Sequence, residues 1–184
     1  GAIPLGGGNI TYDIAYGVQT TLEQAEQLKC QYGSAKAPLA DTEETITIKG
    51  TSGRESRKIS PKTLASIIEP RMDEIFRLVK NEIRKSDFTG EYTFGIVLTG
   101  GGAQLENVED LAQEIFQQPI KVGKPLLSGG VSEKVNNPRY ATGVGLINYG
   151  RENWEELEYE KELDIQSLFK GSISKIGNFF KNWY

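Results

Sequence analysis

The sequence predicts a mixed α/β fold, and three observations lead to that prediction. Residues 93–99 have the apolar pattern of a buried strand and run directly into Gly100-Gly101-Gly102. An amphipathic helix, a short strand at 120–122 and a small-residue helix at 140–149 follow, in the alternating order of an α/β domain. A hairpin pattern and a long helical pattern come before this unit, which indicates an inserted subdomain.

The composition excludes several classes of chemistry. The chain has 184 residues, no His and a single Cys, Cys30. Without His there is no Ser-His-Asp or Cys-His catalysis and no His-ligated zinc site. One cysteine excludes an internal disulfide and a cysteine metal cluster. The net charge of −4 argues against a nucleic-acid partner, because such proteins present a basic face.

The elements before residue 60 are short. Residues 10–16 fit either a helix or a strand. Residues 22–32 predict a helix that Thr20 or Thr21 caps and Gly33 ends. Residues 45–49 alternate like a strand, and after a turn at 50–53 residues 57–59 predict the returning strand of a hairpin.

The longest predicted helix begins after Ser60, an N-cap residue, with Pro61 in its first turn. Pro70 lies inside this helix, so we expect a kink or a restart near Glu69. The apolar stripe that predicts the helix consists of Leu64, Ile67, Ile68, Met72, Ile75, Phe76, Val79 and Ile83.

The second half contains one more amphipathic helix. It presents Leu105, Val108, Leu111, Ile115 and Phe116 on one side, and Gln118-Pro119 stops it. Residues 140–149 are small and apolar, which predicts a closely packed core helix.

Two glycine-rich turns are candidate binding features. Gly100, Gly101 and Gly102 stand between a strand and a helix, where backbone N–H groups can approach a phosphate or the sugar of a nucleotide. The dinucleotide fingerprint and the Walker pattern are not completed, so a plain tight turn is the alternative. At Gly6-Gly7-Gly8, the nearby Asp13 suggests a carboxylate that orients a metal-bound water, and a capped surface turn is the alternative.

The C-terminal segment has the pattern of an amphipathic helix. Its apolar side chains fall on a helical arc of about 140°, lysines flank or oppose that arc, and no acidic residue follows Asp164. These features are typical of a helix in a membrane interface, and a helix docked on the protein's own core is the alternative. The predicted membrane-binding residues are Leu168, Phe169, Lys170, Ile173, Lys175, Ile176, Phe179, Phe180, Lys181 and Trp183.

Five segments together carry a family resemblance. They are Ile3-Pro4-Leu5-Gly6-Gly7 with Ile10-Thr11-Tyr12-Asp13-Ile14-Ala15, Ala25-Glu26-Gln27-Leu28-Lys29 with Gly33, Ile67-Ile68-Glu69-Pro70-Arg71 with Glu74-Ile75-Phe76, Gly95-Ile96-Val97-Leu98-Thr99-Gly100-Gly101-Gly102-Ala103, and Pro138-Arg139-Tyr140-Ala141-Thr142-Gly143-Val144-Gly145-Leu146. In this order they resemble the FtsA family of cell-division proteins, which is actin-like.

The resemblance implies the C-terminal half of an actin-like (ribonuclease H-like) fold with subdomains IIA and IIB. Residues 1–15 and 91–150 would form a IIA-like α/β unit, and 16–90 an inserted IIB-like unit. Residues 151–164 would be an acidic linker, and 165–184 the amphipathic membrane-targeting helix.

The resemblance also implies a nucleotide site without catalytic or metal-binding residues of its own. Gly100, Gly101 and Gly102 would line the adenosine pocket, and Glu26 and Lys29 would reach the ribose and adenine. A solvated ion pair is the alternative for Glu26 and Lys29. The family's phosphate motifs precede Gly6, so we expect ATP and Mg²⁺ to be held as cofactors only with an absent N-terminal half. From this chain alone we expect weak nucleotide affinity and no appreciable ATPase activity.

The function that the resemblance implies is that of an adaptor. It would tether FtsZ filaments, through the FtsZ C-terminal peptide, to the anionic cytoplasmic face of the membrane at the division septum, and would self-associate with FtsA-like protomers. The basic residues of the long helix would suit an acidic peptide unless neighbouring acids balance them. The alternative function is half of another actin-superfamily ATPase or kinase, such as a pilus-assembly protein or a small-molecule kinase, with the terminal helix docked on its own core.

Overall fold

The computed structural model describes residues 1–50, 53, 55–86, 94–126 and 133–153. The chain divides into two compact units after Ala141, and residues 142–153 are the described part of the second unit. The described helices are α1 (Gly7–Gly17), α2 (Leu22–Tyr32), α3 (Pro61–Lys85), α4 (Val108–Phe116) and α5 (Ala141–Glu152). The described strands are β1 (Ile46–Ile48), β2 (Arg57–Ile59), β3 (Ile96–Leu98) and β4 (Ile120–Val122).

Helix α3 organises the core of the first unit because it packs against both α1 and α4. Leu64, Ile68, Met72 and Phe76 recur every four residues along α3 and are buried. Phe76 meets Phe116 of α4 edge to face, with ring centroids 5.7 Å apart. Burial of each such side chain stabilises the fold by about 1.5–3 kcal/mol, so the apolar stripe holds the helices together.

The first two helices begin at capping hydrogen bonds. Residues 10–16 belong to helix α1, which resolves the choice between helix and strand. The Gly6 N–H at its start donates to Asn9 Oδ1 at 3.0 Å. Helix α2 has the predicted bounds, and the Gln24 N–H donates to Thr21 Oγ1 at 3.2 Å, so Thr21 is the N-cap.

Helix α3 begins as predicted, with Ser60 as its N-cap, but it continues through Pro70 without a restart. Of the two expected outcomes near Glu69, a kink or a restart, the restart is excluded because the helix is continuous. Buried Ile68 and Met72 flank the proline, and Arg71 pairs with Asp13 of α1. These contacts offset the roughly 3 kcal/mol that an internal proline costs a helix.

The strands form two small sheets. Strands β1 and β2 pair antiparallel, with Ile46 opposite Ile59, which confirms the hairpin. Strands β3 and β4 pair parallel, with Ile96 opposite Ile120. The prediction of a buried strand at 93–99 is wrong in its burial, because Val97 is 64% exposed and only one face of β3 is covered.

The last two helices differ in how well the sequence predicted them. Helix α4 buries Val108, Leu111, Ile115 and Phe116, as its apolar side predicted. In α5 the large side chains Leu146, Ile147 and Tyr149 are exposed, so the prediction of a core helix is wrong. Small residues permit close packing, but a Cβ at Gly143 or Gly145 would meet no atom within 4 Å. Within the described residues, no helix has the length and apolarity needed to cross a membrane.

Candidate functional site

A cleft of about 780 Å³ lies in the first unit, where four parts of the chain meet. Its volume is within the range of small-molecule sites, about 300–1,000 Å³. The lining residues come from α1, α2, the glycine-rich turn and the segment before α5. They are Gly7, Gly8, Ile10, Glu26, Lys29, Cys30, Gly101, Gly102, Gln104, Leu105 and Arg139.

One side of the cleft is a hydrogen-bonded network that we call the polar wall, formed by Gly7, Thr11, Glu26 and Lys29. The Lys29 ammonium donates to the Gly7 carbonyl at 3.0 Å, to Thr11 Oγ1 at 2.8 Å and to Glu26 Oε2 at 2.6 Å. The Thr11 hydroxyl in turn donates to Glu26 Oε2. The predicted spacing of Glu26 and Lys29 does form an ion pair, but Thr11 of α1 joins it and the lysine side chain is only 13% exposed.

The network sets the charge of the polar wall. Partial burial acts to raise the pKa of Glu26, but hydrogen bonds from Lys29 and Thr11 outweigh it, and the pKa lies below its ordinary value. Cys30 Sγ lies 3.5 Å from Glu26 Oε1. Burial and the nearby carboxylate both raise the pKa of the Cys30 thiol. At neutral pH the polar wall therefore presents a carboxylate beside a protonated thiol.

The opposite side is a glycine wall, formed by Gly100, Gly101 and Gly102. Gly100 has a φ of +91°, which side-chain-bearing residues rarely adopt, and its N–H donates to the Pro138 carbonyl at 3.0 Å. Gly101 and Gly102 line the cleft, and a Cβ at either would meet no atom within 4 Å. Bare backbone on this side lets a flat ligand approach closely.

Gly33 and its neighbours join the two walls at one corner of the cleft. The Glu106 N–H donates to the Gly33 carbonyl at 3.1 Å, and the Ala35 N–H donates to the Glu106 carbonyl at 2.7 Å. A Cβ at Gly33 would lie 2.2 Å from the Lys29 carbonyl oxygen and 2.7 Å from Leu105 Cδ2. Only glycine fits there, so this position fixes α2 against the turn after the glycine wall.

Sequence reasoning missed Thr11 in the polar wall and three residues of the cleft lining, Arg139, Gln104 and Cys30. Arg139 lies on the cleft with its guanidinium 5.3 Å from the Tyr140 ring centroid. Gln104 accepts from Asn137 Nδ2 at 2.7 Å, which ties the glycine wall to the segment that carries Arg139. Arg139 belongs to the segment 138–146 that contributes to the family resemblance, and its cationic side chain was the signal that could have indicated a binding role. Cys30 had no signal beyond its position one residue after Lys29.

The proposed role of Asp13 at the first glycine turn does not fit its contacts. Both of its carboxylate oxygens bind Arg71, at 2.6 Å and 3.0 Å, so Asp13 joins α1 to α3. Arg71 also pairs with Glu74. Within the described ranges, no group of three or more acidic or Cys side chains is arranged to hold a metal ion.

Most of the basic side chains of α3 form ion pairs or hydrogen bonds within the protein. Arg71 binds Asp13, Arg77 binds Asp73, and Lys85 binds Glu82. Lys80 donates to the Ile115 carbonyl near the end of α4. These contacts favour the alternative of a balanced surface over a ready-made site for an acidic peptide.

The predicted membrane-binding residues, from Leu168 to Trp183, lie outside the described residues, and so does the acidic linker from residue 154 onward. The other predicted site residues lie together. Glu26, Lys29, Gly101 and Gly102 line one cleft, and Gly100 holds the turn that positions the glycine wall.

The cleft lining combines bare backbone, a carboxylate and a cation. The bare glycine wall suits a planar base, the half-exposed Glu26 carboxylate can accept hydrogen bonds from sugar hydroxyls, and Arg139 supplies a cation at the rim. The residues present therefore fit the sugar and base of a nucleotide.

Comparison with known proteins gives a consistent family. The family model described as cell division protein FtsA matches residues 1–145. The cell division protein FtsA of Pseudomonas aeruginosa is 43% identical over 148 residues, 80% of this chain and 36% of the relative. That of Escherichia coli K12 is 33% identical over 186 residues, 97% of this chain and 44% of the relative.

Solved structures show the same architecture. A structure of MreB5 of Spiroplasma citri bound to AMPPNP superposes with a TM-score of 0.68 at 20% identity, covering 85% of this chain and 47% of that one. Its ADP-bound form gives a TM-score of 0.67. At this identity the likeness establishes a partial actin-like fold. The chain spans 36% to 44% of the length of the curated relatives named above.

Proposed function

The chain belongs to the FtsA family of cell-division proteins, and on that premise we propose that it is an adaptor that tethers FtsZ filaments to the cytoplasmic membrane at the division septum. Family membership is the observation that carries this proposal. The curated relatives are named as cell-division proteins, and the fold is actin-like. The adaptor role requires a polypeptide-docking surface, a membrane anchor and a nucleotide-dependent body.

The cleft is the nucleotide part of the proposal. Gly100, Gly101 and Gly102 would face the adenosine, with Glu26 and Lys29 on the opposite side. ATP with Mg²⁺ would supply the polyanionic ligand of this site. We assign only the nucleoside half of the site to these residues, and the phosphates and Mg²⁺ would be held by the rest of a family protein.

The anchor is the segment from residue 165 to residue 184. Leu168, Phe169, Ile173, Ile176, Phe179, Phe180 and Trp183 would enter the lipid interface, and Lys170, Lys175 and Lys181 would face anionic headgroups. Three lysines contribute roughly 1 kcal/mol each near such a surface. Gly171 and Gly177 disfavour the helix in water by about 0.5–1 kcal/mol each, so the helix would form on the lipid.

The filament-docking surface would lie in the inserted unit, residues 16–90. The internal pairing of Arg71, Arg77 and Lys85 argues that charge alone does not build it. We therefore propose the unit, and no particular residues, as the site for the FtsZ C-terminal peptide. Self-association with FtsA-like protomers would array such sites along the membrane.

A co-sedimentation experiment tests the proposal. The purified chain is mixed with vesicles of anionic phospholipid and with FtsZ filaments, and we expect it to pellet with the vesicles and to bring the filaments with it. The variant Phe179→Glu with Phe180→Glu should stay in the supernatant, because it puts two charges on the apolar arc.

The matched control is Ser174→Glu with Asn178→Glu, which adds the same charge on the polar face of the same helix. It should still pellet. If both variants lose co-sedimentation equally, the vesicles respond to charge alone and the apolar arc is not the anchor. If the chain pellets with the vesicles but leaves FtsZ in the supernatant, the adaptor role is contradicted. Unchanged sedimentation of the Phe variant would support a terminal helix docked on the protein's own core.

A further inference from the structure

The ammonium group of Lys29 has no hydrogen left for a ligand. A lysine ammonium carries three N–H donors and no acceptor. Three acceptors surround Lys29 Nζ within 3.0 Å: the Gly7 carbonyl, Thr11 Oγ1 and Glu26 Oε2. Any hydrogen bond from Lys29 to a nucleotide would therefore break one that already exists.

Glu26 is in the opposite situation. Its side chain is 50% exposed and lines the cleft. Oxygen Oε2 accepts from both Lys29 and Thr11, whereas Oε1 has only the weak thiol contact from Cys30 at 3.5 Å. A carboxylate has about four lone-pair sites, so Glu26 keeps acceptor capacity on its exposed side.

We propose that Thr11 and Lys29 are positioning residues, which act on a nucleotide through Glu26 and do not contact it themselves. This inference rests on the proposed nucleotide site and assigns its roles. The carboxylate is held at Oε2 by two neighbouring donors that are themselves hydrogen-bonded to each other, which leaves Oε1 available to the hydroxyls of a sugar. Pre-orientation of this kind raises affinity because the side chain loses less freedom on binding.

Thr11 is the central member of the network. It is 7% exposed, and its hydroxyl accepts from Lys29 while it donates to Glu26. It thereby connects α1 to two residues of α2. The same hydroxyl also lies 3.1 Å from the Gly7 carbonyl oxygen of its own helix. Valine has nearly the same shape without the hydroxyl, so Thr11→Val removes the hydrogen bonds to Glu26, Lys29 and Gly7 with little change in packing volume. Serine keeps the hydroxyl and should restore them.

The first measurement needs no nucleotide. The carboxyl of Glu26 is titrated by NMR in the intact protein, in Thr11→Val and in Thr11→Ser, and the rate at which an amine-reactive reagent labels Lys29 is followed by mass spectrometry. We expect Thr11→Val to raise the pKa of Glu26 and to speed labelling of Lys29. The serine variant should match the unaltered protein. No change in either quantity would overturn the positioning role.

The second measurement separates positioning from direct contact. Affinity is measured for ATP and for an ATP analogue that lacks both the 2′- and 3′-hydroxyls. Since a hydrogen bond to a charged group is worth at least a factor of about ten, Thr11→Val and Lys29→Met should each weaken ATP roughly tenfold. Neither should change the affinity for the analogue. Thr47→Val, on the exposed face of β1, is the control for threonine removal.

The outcomes separate this inference from the proposed site. If Lys29→Met weakens the analogue as much as ATP, Lys29 contacts the ligand directly and the inference is wrong. If the unaltered protein binds ATP and Thr11→Val binds it equally, the positioning role is wrong and the site stands. Because these residues supply only the nucleoside half of the site, ATP is titrated to millimolar concentration. If the unaltered protein shows no binding in that range, the proposed site fails and this inference fails with it, while the titration of Glu26 still reports whether Thr11 orients its carboxylate.

Discussion

The two walls of the cleft are built on opposite principles. The polar wall depends on side chains, and each of Thr11, Glu26 and Lys29 has at least two partners within the wall. The glycine wall depends on the absence of side chains, with open space where Gly101 and Gly102 would carry a Cβ. The polar wall should therefore lose its function when a side chain is removed, and the glycine wall when a side chain is added.

The largest effect is expected at the corner that joins the walls. Gly33→Ala puts a methyl group 2.2 Å from the Lys29 carbonyl oxygen, which is fixed backbone. We expect the free energy of unfolding to fall by about 3 kcal/mol, measured by urea denaturation. Gly8→Ala is the control, since a Cβ there meets nothing within 4 Å and alanine favours the helix. Equal stability of both variants would contradict the packing at this corner.

Filling the glycine wall comes next. Gly102→Val should weaken ATP about a hundredfold, close to 2.7 kcal/mol, because the branched side chain occupies the space of the ligand. Its unfolding free energy should hardly change, since that space contains no protein atoms. Isothermal titration calorimetry measures the first quantity. Gly143→Val, away from the cleft lining, should bind ATP normally, and normal binding by Gly102→Val would remove this wall from the site.

Removing the charge of the polar wall should have a smaller effect. Glu26→Gln keeps the shape of the side chain but loses the charge-assisted hydrogen bonds with Lys29 and Thr11. We expect ATP affinity to fall roughly tenfold. The ATP analogue without ribose hydroxyls should bind both proteins alike. A loss shared by both nucleotides would indicate that Glu26 acts on the base or the phosphates.

The smallest expected effect is a pH dependence that only the polar wall can show. The folded protein lowers the pKa of Glu26 from its ordinary 4.5. The ionised Glu26 carboxylate therefore contributes its full stabilisation of the folded protein above pH 4.5, and this contribution is lost as the pH falls through the lowered pKa. Half-exposure limits it to less than about 1 kcal/mol. The stability difference between the unaltered protein and Glu26→Gln should shrink below pH 4.5, and a difference that grows would reverse the sign of the argument.

The sequence predicted the elements better than it predicted their surroundings. Helices α2 and α4 and the hairpin followed from caps, apolar spacing and alternation, which are local properties. The exposure of Val97 and Ile147 could not be predicted, because burial depends on which neighbours are present. The family resemblance is confirmed by the family match and the curated relatives.

The site was predicted in part for the same reason. The spacing of Glu26 and Lys29 placed them on one face of α2. Their third partner, Thr11, and the rim residue Arg139 lie far away in sequence, and the tertiary fold brings them together. Asp13 shows the converse: a carboxylate next to a glycine turn suggested a metal-bound water, yet it is committed to Arg71 on α3.

Cys30 gives the molecule a ready attachment point for a spectroscopic reporter. It is the sole cysteine of the chain, it is exposed, and it lines the cleft beside Glu26. A maleimide dye would attach at this one position, and no other cysteine would have to be replaced first. Because burial and the nearby Glu26 carboxylate raise the pKa of the thiol, coupling should be slow in neutral buffer and speed up in mild alkali. A change in the emission of that dye would report binding and release of a ligand in the cleft as they occur.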